Sequence, residues 1–101
     1  MNPNEVKAIK YYEKWLETSM PPLHITTQLR VRRIIDIDDE DEIDAEKTTK
    51  KKNQKILGFI FNSENPDVFK CFVEALKSIP TKSNVLGSDL EKKYNELMNS
   101  S

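Results

Sequence analysis

The sequence predicts an all-α fold, a closed antiparallel bundle of six helices, on three observations. Apolar residues recur three or four positions apart along most of the chain, the period of a helix with one buried face. Only 2 of the 101 residues are Gly while 33% are charged, a composition that favours helices over turn-rich architectures. The one β-branched stretch, residues 26–35, has no second strand-like run to pair with. A chain of this length hides roughly 65% of the surface its unfolded form exposes. One modest core is the limit, so residues 1–101 are expected to form a single domain, with its core over residues 5–98.

The first helix is expected over residues 5–20, where Val6, Ile9, Tyr12, Leu16 and Met20 make one apolar face, Trp15 widens it, and Lys7, Lys10, Lys14 and Glu17 face water. Pro21-Pro22 ends it, because the second proline pushes its predecessor out of the helical region and neither can donate a ladder hydrogen bond. The second helix is expected from Leu23 to Ile35. Thr26, Thr27, Val31, Ile34 and Ile35 suit a strand by propensity, but Ile25, Leu29 and the Ile34-Ile35 pair keep helical spacing. A short third helix around Asp39–Glu46 would have Ile43 as its sole anchor.

A fourth helix begins near Thr48 or Thr49 as cap and carries Ile56, Leu57, Ile60 and Phe61. Gly58 in its middle costs about 1 kcal/mol against Ala, which points to another backbone packed close to it. Asn65-Pro66-Asp67 reads as the start of the fifth: an Asn cap, a proline at the first helical position, then an acid at the positive end of the dipole. Val68, Phe69, Phe72, Val73 and Leu76 complete its apolar face, and Ile79-Pro80 closes it. Phe72→Ala should therefore cost about 3–5 kcal/mol. Ser88-Asp89-Leu90-Glu91 reads as a capping box for a sixth helix through Tyr94, Leu97 and Met98.

Lys and Arg number 16 against 17 Asp and Glu, a formal net charge of −1, so the net field of the molecule cannot draw it to nucleic acid or an anionic bilayer. The longest apolar run, Ile56–Phe61, falls far short of the roughly 20 residues a spanning helix needs. Met1–Asn4 leads straight into a charged amphipathic pattern without an export signal, and the 1 Cys is unpaired, so a cytoplasmic location is expected.

No catalytic constellation is legible, and the chain is not expected to be an enzyme. His24 is the single histidine, beside Pro21-Pro22, where an exposed loop or cap position is expected. Cys71 falls between Phe69 and Phe72, where a buried inert thiol is the common outcome, so a Cys71-His24 dyad is disfavoured. One Cys and one His cannot make the usual zinc set. Asp36, Asp38 and Glu40 alternate like the start of a calcium loop, but Asp41 stands at the glycine turn and Lys47 at the bidentate glutamate. The Asp36-Asp38 pair lacks a glycine-rich phosphate cradle for a metal-nucleotide. No cofactor is expected.

Residues 36–46 hold eight acids in eleven positions, and residues 47–55 follow with five lysines: Lys47, Lys50, Lys51, Lys52 and Lys55. A nucleic-acid contact through Lys47–Lys55 is the alternative reading, although the acids nearby repel phosphate within a Debye length of about 8 Å. Both runs could also be plain solvated faces. Pointed in different directions, they give one domain two faces of opposite sign, and the negative face of one copy can meet the positive face of the next. Such a contact is heterologous and propagates as a helix unless its rotation closes a ring.

The order of these elements resembles the caspase recruitment domain (CARD), a member of the death-fold superfamily. The residues that carry the likeness are Ile34-Ile35-Asp36-Ile37-Asp38-Asp39-Glu40-Asp41-Glu42-Ile43, then Ile56-Leu57-Gly58-Phe59-Ile60, then Asn65 through Lys77, with coverage from about Val6 to Tyr94. Ile43-Asp44-Ala45-Glu46-Lys47 is also similar to the domains at the front of cytosolic RNA receptors. The resemblance implies a six-helix Greek-key death fold and homotypic CARD–CARD association, as a non-catalytic signalling adaptor in apoptosis or innate immunity. Its partners would be a second copy, a caspase, an adaptor or a receptor. The resemblance places Lys7, Lys10, Lys14, Lys51 and Lys55 on a basic side and Asp36, Asp38, Asp39, Glu40 and Asp41 on an acidic side. It also admits a CARD-only decoy inhibitor. Arg30, Arg32 and Arg33 depart from the pattern by making the second helix basic. On this reading Lys51→Glu or Asp39→Lys should abolish assembly and leave stability nearly unchanged.

Overall fold

Asn2 opens the first helix with a reciprocal capping box: its Oδ1 accepts the Glu5 N–H at 2.9 Å and the Glu5 carboxylate accepts the Asn2 N–H at 2.9 Å, with Pro3 in the first turn. The computed structural model describes residues 1–100, which contain seven α-helices, a 3-10 turn and no strand. In chain order these are α1 (Pro3–Tyr11), α2 (Glu13–Ser19), α3 (Pro22–Val31), α4 (Ile37–Asp44), α5 (Thr49–Asn62), α6 (Val68–Lys77), the 3-10 turn Lys82–Asn84, and α7 (Val85–Asn99).

The first helix therefore starts before residue 5 and is broken at Tyr12, where φ is −101° and ψ is 8°. The break has a packing purpose. α1 lies against α7, whereas α2 lies against α5, and one straight helix cannot aim Ile9 and Leu16 at two different neighbours. Trp15, expected to widen the apolar face, is exposed and tilts against Tyr12 with ring centroids 5.5 Å apart.

α3 is shorter than expected. Arg33 takes the left-handed conformation at φ 62°, its N–H bonds the Arg30 carbonyl at 3.0 Å, and the Ile34 N–H bonds the Leu29 carbonyl at 2.9 Å. These two bonds form a Schellman cap, so the helix stops before Ile34-Ile35 although Ile35 still enters the core. α4 begins two residues earlier than expected, because Asp36 caps it: Asp36 Oδ1 accepts the Asp39 N–H at 2.8 Å and Asp39 Oδ2 accepts the Asp36 N–H at 3.1 Å. Ile43 is its buried anchor, as the sequence implies. Thr48 caps α5 through the Lys51 N–H at 3.1 Å.

Asn65 makes a tight turn ahead of α6: its Oδ1 accepts the Asp67 N–H at 2.8 Å and its carbonyl accepts the Val68 N–H at 3.1 Å, so the helix starts at Val68 and not at Pro66. α7 begins three residues before the expected capping box, running on from the 3-10 turn that Thr81 caps, and Ser88 lies inside the helix.

α6 packs on α7 and α3, α3 also on α5, and α4 on α5 and α3. Phe72 is fully buried in a single cluster that draws Ile9, Leu16, Leu29, Ile43, Ile56 and Leu90 from the other helices. The Cα radius of gyration is 12.7 Å, close to the roughly 13 Å of a compact domain this long. The close approach expected at Gly58 is found at the other glycine. A Cβ on Gly58 would meet nothing within 4 Å, so no backbone packs there, whereas one on Gly87 would stand 2.8 Å from the Lys77 nitrogen and 2.9 Å from the Val73 carbonyl. Gly87 is what lets α7 approach α6. No described helix is long and apolar enough to cross a membrane.

Candidate protein-interaction surfaces

The acidic residues gather on α4 and its leading turn because that helix needs only Ile43 to hold it. Asp36, Asp38 and Asp41 are exposed, together with Glu42 and Asp44; Asp39 and Glu40 are half-buried. The carboxylates of Asp36 and Asp39 are occupied by the reciprocal cap, and that of Glu40 meets Arg30 at 3.4 Å. Asp38 and Asp41 point free of any ion pair among the described residues.

The basic residues come from three helices. Lys7 and Lys10 lie on α1, Lys14 on α2, and Lys51 and Lys55 on α5; the first four are exposed and Lys55 is half-buried. The packing of α2 on α5 makes the helices of Lys14, Lys51 and Lys55 neighbours. Asn53 is fully buried at that contact and donates to the carbonyls of Glu17 at 2.8 Å and Met20 at 2.9 Å. Lys10 Nζ stands 5.9 Å from the centre of the Phe61 ring, which joins α1 to the end of α5.

The two charged sets do not neutralise one another. Among the described residues one ion pair joins the acidic run to the lysine tract, Lys55 Nζ to Glu46 Oε1 at 3.9 Å, and both side chains are partly exposed. Pairs of that kind contribute only about 0.2–1 kcal/mol. The arginines of the second predicted helix are partly spent inside the domain, Arg30 on Glu40 and Arg32 on Glu74 at 3.6 Å.

His24 is not in a loop. It sits in the first turn of α3, half-buried, with Nε2 2.9 Å from Ser78 Oγ. Ser78 Oγ gives its proton to the Ala75 carbonyl at 2.7 Å, so His24 Nε2 is the donor in that contact. The bond ties α3 to the end of α6 and does not reach Cys71. Cys71 is half-buried, not fully buried, and burial pushes its thiol pKa up, with nearby Arg32 opposing. Burial likewise raises Tyr12, helped by Asp89, Tyr11 and Glu96.

Two features escape the sequence reading. Pro21 has no N–H to offer the Glu17 carbonyl, which flags an unsatisfied helix end, but nothing local names Asn53 as its partner. Ile37, at the head of the acidic helix, is 59% exposed, an apolar side chain left in solvent among the acids.

Comparison with curated proteins returns no match, and comparison with solved structures returns none. The family model of the caspase recruitment domain matches residues 7–93, which runs from the second half of α1 into α7 and includes the five lysines of the basic set and the whole acidic helix. An all-helical body with that match over most of its length belongs to the caspase recruitment domain family, a family of non-catalytic homotypic protein–protein interaction modules.

Proposed function

We propose that this domain is a signalling adaptor module whose acidic face, Asp36, Asp38 and Asp41 with Asp39 and Glu40 behind them, docks on the basic face of Lys7, Lys10, Lys14, Lys51 and Lys55 of another CARD. The partner is a second copy, or the CARD of a caspase, an adaptor or a receptor, and the contact brings effector enzymes or kinases together in apoptotic or innate immune signalling in the cytoplasm. α1 and α2 are two halves of one bent helix in this reading, which restores the six-helix Greek-key count of the death fold.

The observation that carries the proposal is the segregation of charge: one long pair, Lys55–Glu46 at 3.9 Å, joins the acidic run to the lysine tract. Each exposed pair across the contact contributes about 0.2–1 kcal/mol, so several pairs and several neighbours act together, and assembly is concentration-dependent and weakened by salt. Successive heterologous contacts build a helical oligomer.

The test is Lys51→Glu, followed by gel filtration and electron microscopy at low salt. Assembly should be lost while the helical circular dichroism and the Tm stay near those of the native chain. Loss that comes only with unfolding overturns the interface. A salt-sensitive shift of labelled RNA without self-association replaces it with nucleic-acid binding through Lys47–Lys55. A chain that ends a partner's oligomer without extending it is a decoy inhibitor.

A further inference from the structure

Gly58 occupies the middle of α5 at a cost in helix stability that the fold of this chain does not require, since a Cβ there would meet nothing within 4 Å among the described residues. Gly58 lines a shallow surface notch of about 230 Å³. Phe59, half-buried, gives it an apolar side; Lys55 and Asn62 stand one turn away on either side of Gly58, and Glu42 of α4 forms the facing wall. The notch thus lies on the border of the basic face, beside Lys55, a lysine assigned to that face.

The acidic face carries an exposed aliphatic side chain. Ile37 is 59% exposed at the first position of α4, with Asp36 and Asp38 on either side of it in the chain. We infer that the Gly58 notch receives Ile37 of a second copy, so that an apolar knob seats at the centre of the charged contact. This rests on the docking under Proposed function and deepens it. Charge fixes the orientation: Asp36 and Asp38 beside the incoming Ile37 are attracted by Lys55 and repelled by Glu42, so they lie on the Lys55 side. The charged pairs bring the faces together, and the knob and notch decide which CARD fits, because a partner without an aliphatic residue ahead of its acidic helix leaves the notch unfilled.

The experiment measures sedimentation velocity of the full chain over a concentration series at low salt, beside thermal unfolding of the dissociated chain. Gly58→Ala should raise Tm by about 4–8 °C, since Ala favours the helix and meets no neighbour, yet weaken association at least about tenfold because its methyl projects into the notch where Ile37 would seat. A structural role for Gly58 alone cannot move the two readouts in opposite senses. Ile37→Ala should weaken association with Tm unchanged, and the double variant should be no weaker than the weaker single, as expected of two residues that meet. Association of Gly58→Ala as tight as that of the native chain overturns the notch, and additive losses overturn Ile37 as its occupant. If Lys51→Glu abolishes association while Gly58→Ala leaves it intact, the notch alone falls and charge docking stands. If the native chain does not associate, both fall.

Discussion

The side-chain amide of Asn53 supplies the hydrogen bond that Pro21 cannot give to Glu17. In a continuing helix the Glu17 carbonyl would accept the N–H of residue 21, but that residue is proline, and Asn53 Nδ2 stands there instead at 2.8 Å, with the Met20 carbonyl also in reach at 2.9 Å. The two hydrogen bonds pin α5, which carries Lys51 and Lys55, to the end of α2, which carries Lys14. Asn53→Ala leaves two carbonyls unpaired at a buried contact and should cost about 2–4 kcal/mol. Urea unfolding reads this as a lowered midpoint with the m-value unchanged.

Asp39 is a stability residue as well as a surface one. Its carboxylate accepts the Asp36 N–H and its own N–H is held by Asp36, so Asp39→Lys should lose about 1 kcal/mol of helix capping and is a poor probe of docking. The cap thus adds a stability cost to a reversal expected to leave stability nearly unchanged. Asp41→Lys, exposed and beyond the cap, should abolish assembly with Tm changed little. Parallel thermal melts and gel filtration of the two variants separate the effects.

Gly87→Ala should destabilise by about 1–3 kcal/mol. The added Cβ meets the backbone of α6 at Lys77 and Val73, and backbone cannot rotate away as a side-chain tip can. Chemical denaturation should rank it below the native chain, the opposite sign from the same substitution at Gly58.

Cys71 should be slow to alkylate in the folded chain near neutral pH, because its raised pKa keeps it a thiol. The sign for stability follows from the same direction. The folded pKa lies above the unfolded one, so the contribution is full below the unfolded thiol pKa and is lost as pH rises through the folded value. Tyr12 acts in the same direction at more alkaline pH. Melting the native chain and Cys71→Ser from neutral to alkaline pH should show the first decline flattened in the variant; equal slopes would remove the assignment.

Helices were legible where a repeating apolar face coincided with a local cap. Thr48 begins α5 as read, and Ile43 anchors α4 as read. Errors came where packing overruled local pattern. The break at Tyr12 has neither Pro nor Gly to announce it, since it exists to aim two halves at different helices. The stop after Val31 needs Arg33 in a conformation that non-glycine residues rarely take. The acidic side of the candidate surface could be read from contiguous residues, but the basic side could not be assembled without the packing of α2 on α5.

Composition, periodicity and the adjacency of eight acids to five lysines were sufficient to determine an all-helical chain in which an acidic run is followed directly by a basic one. Those properties depend on neighbours within a turn or two along the chain. Tertiary structure alone decided that Gly87 and not Gly58 is the close approach and that Asn53 closes α2. Each of these joins or separates groups according to where helices meet in space, and that distance is not encoded in separation along the chain.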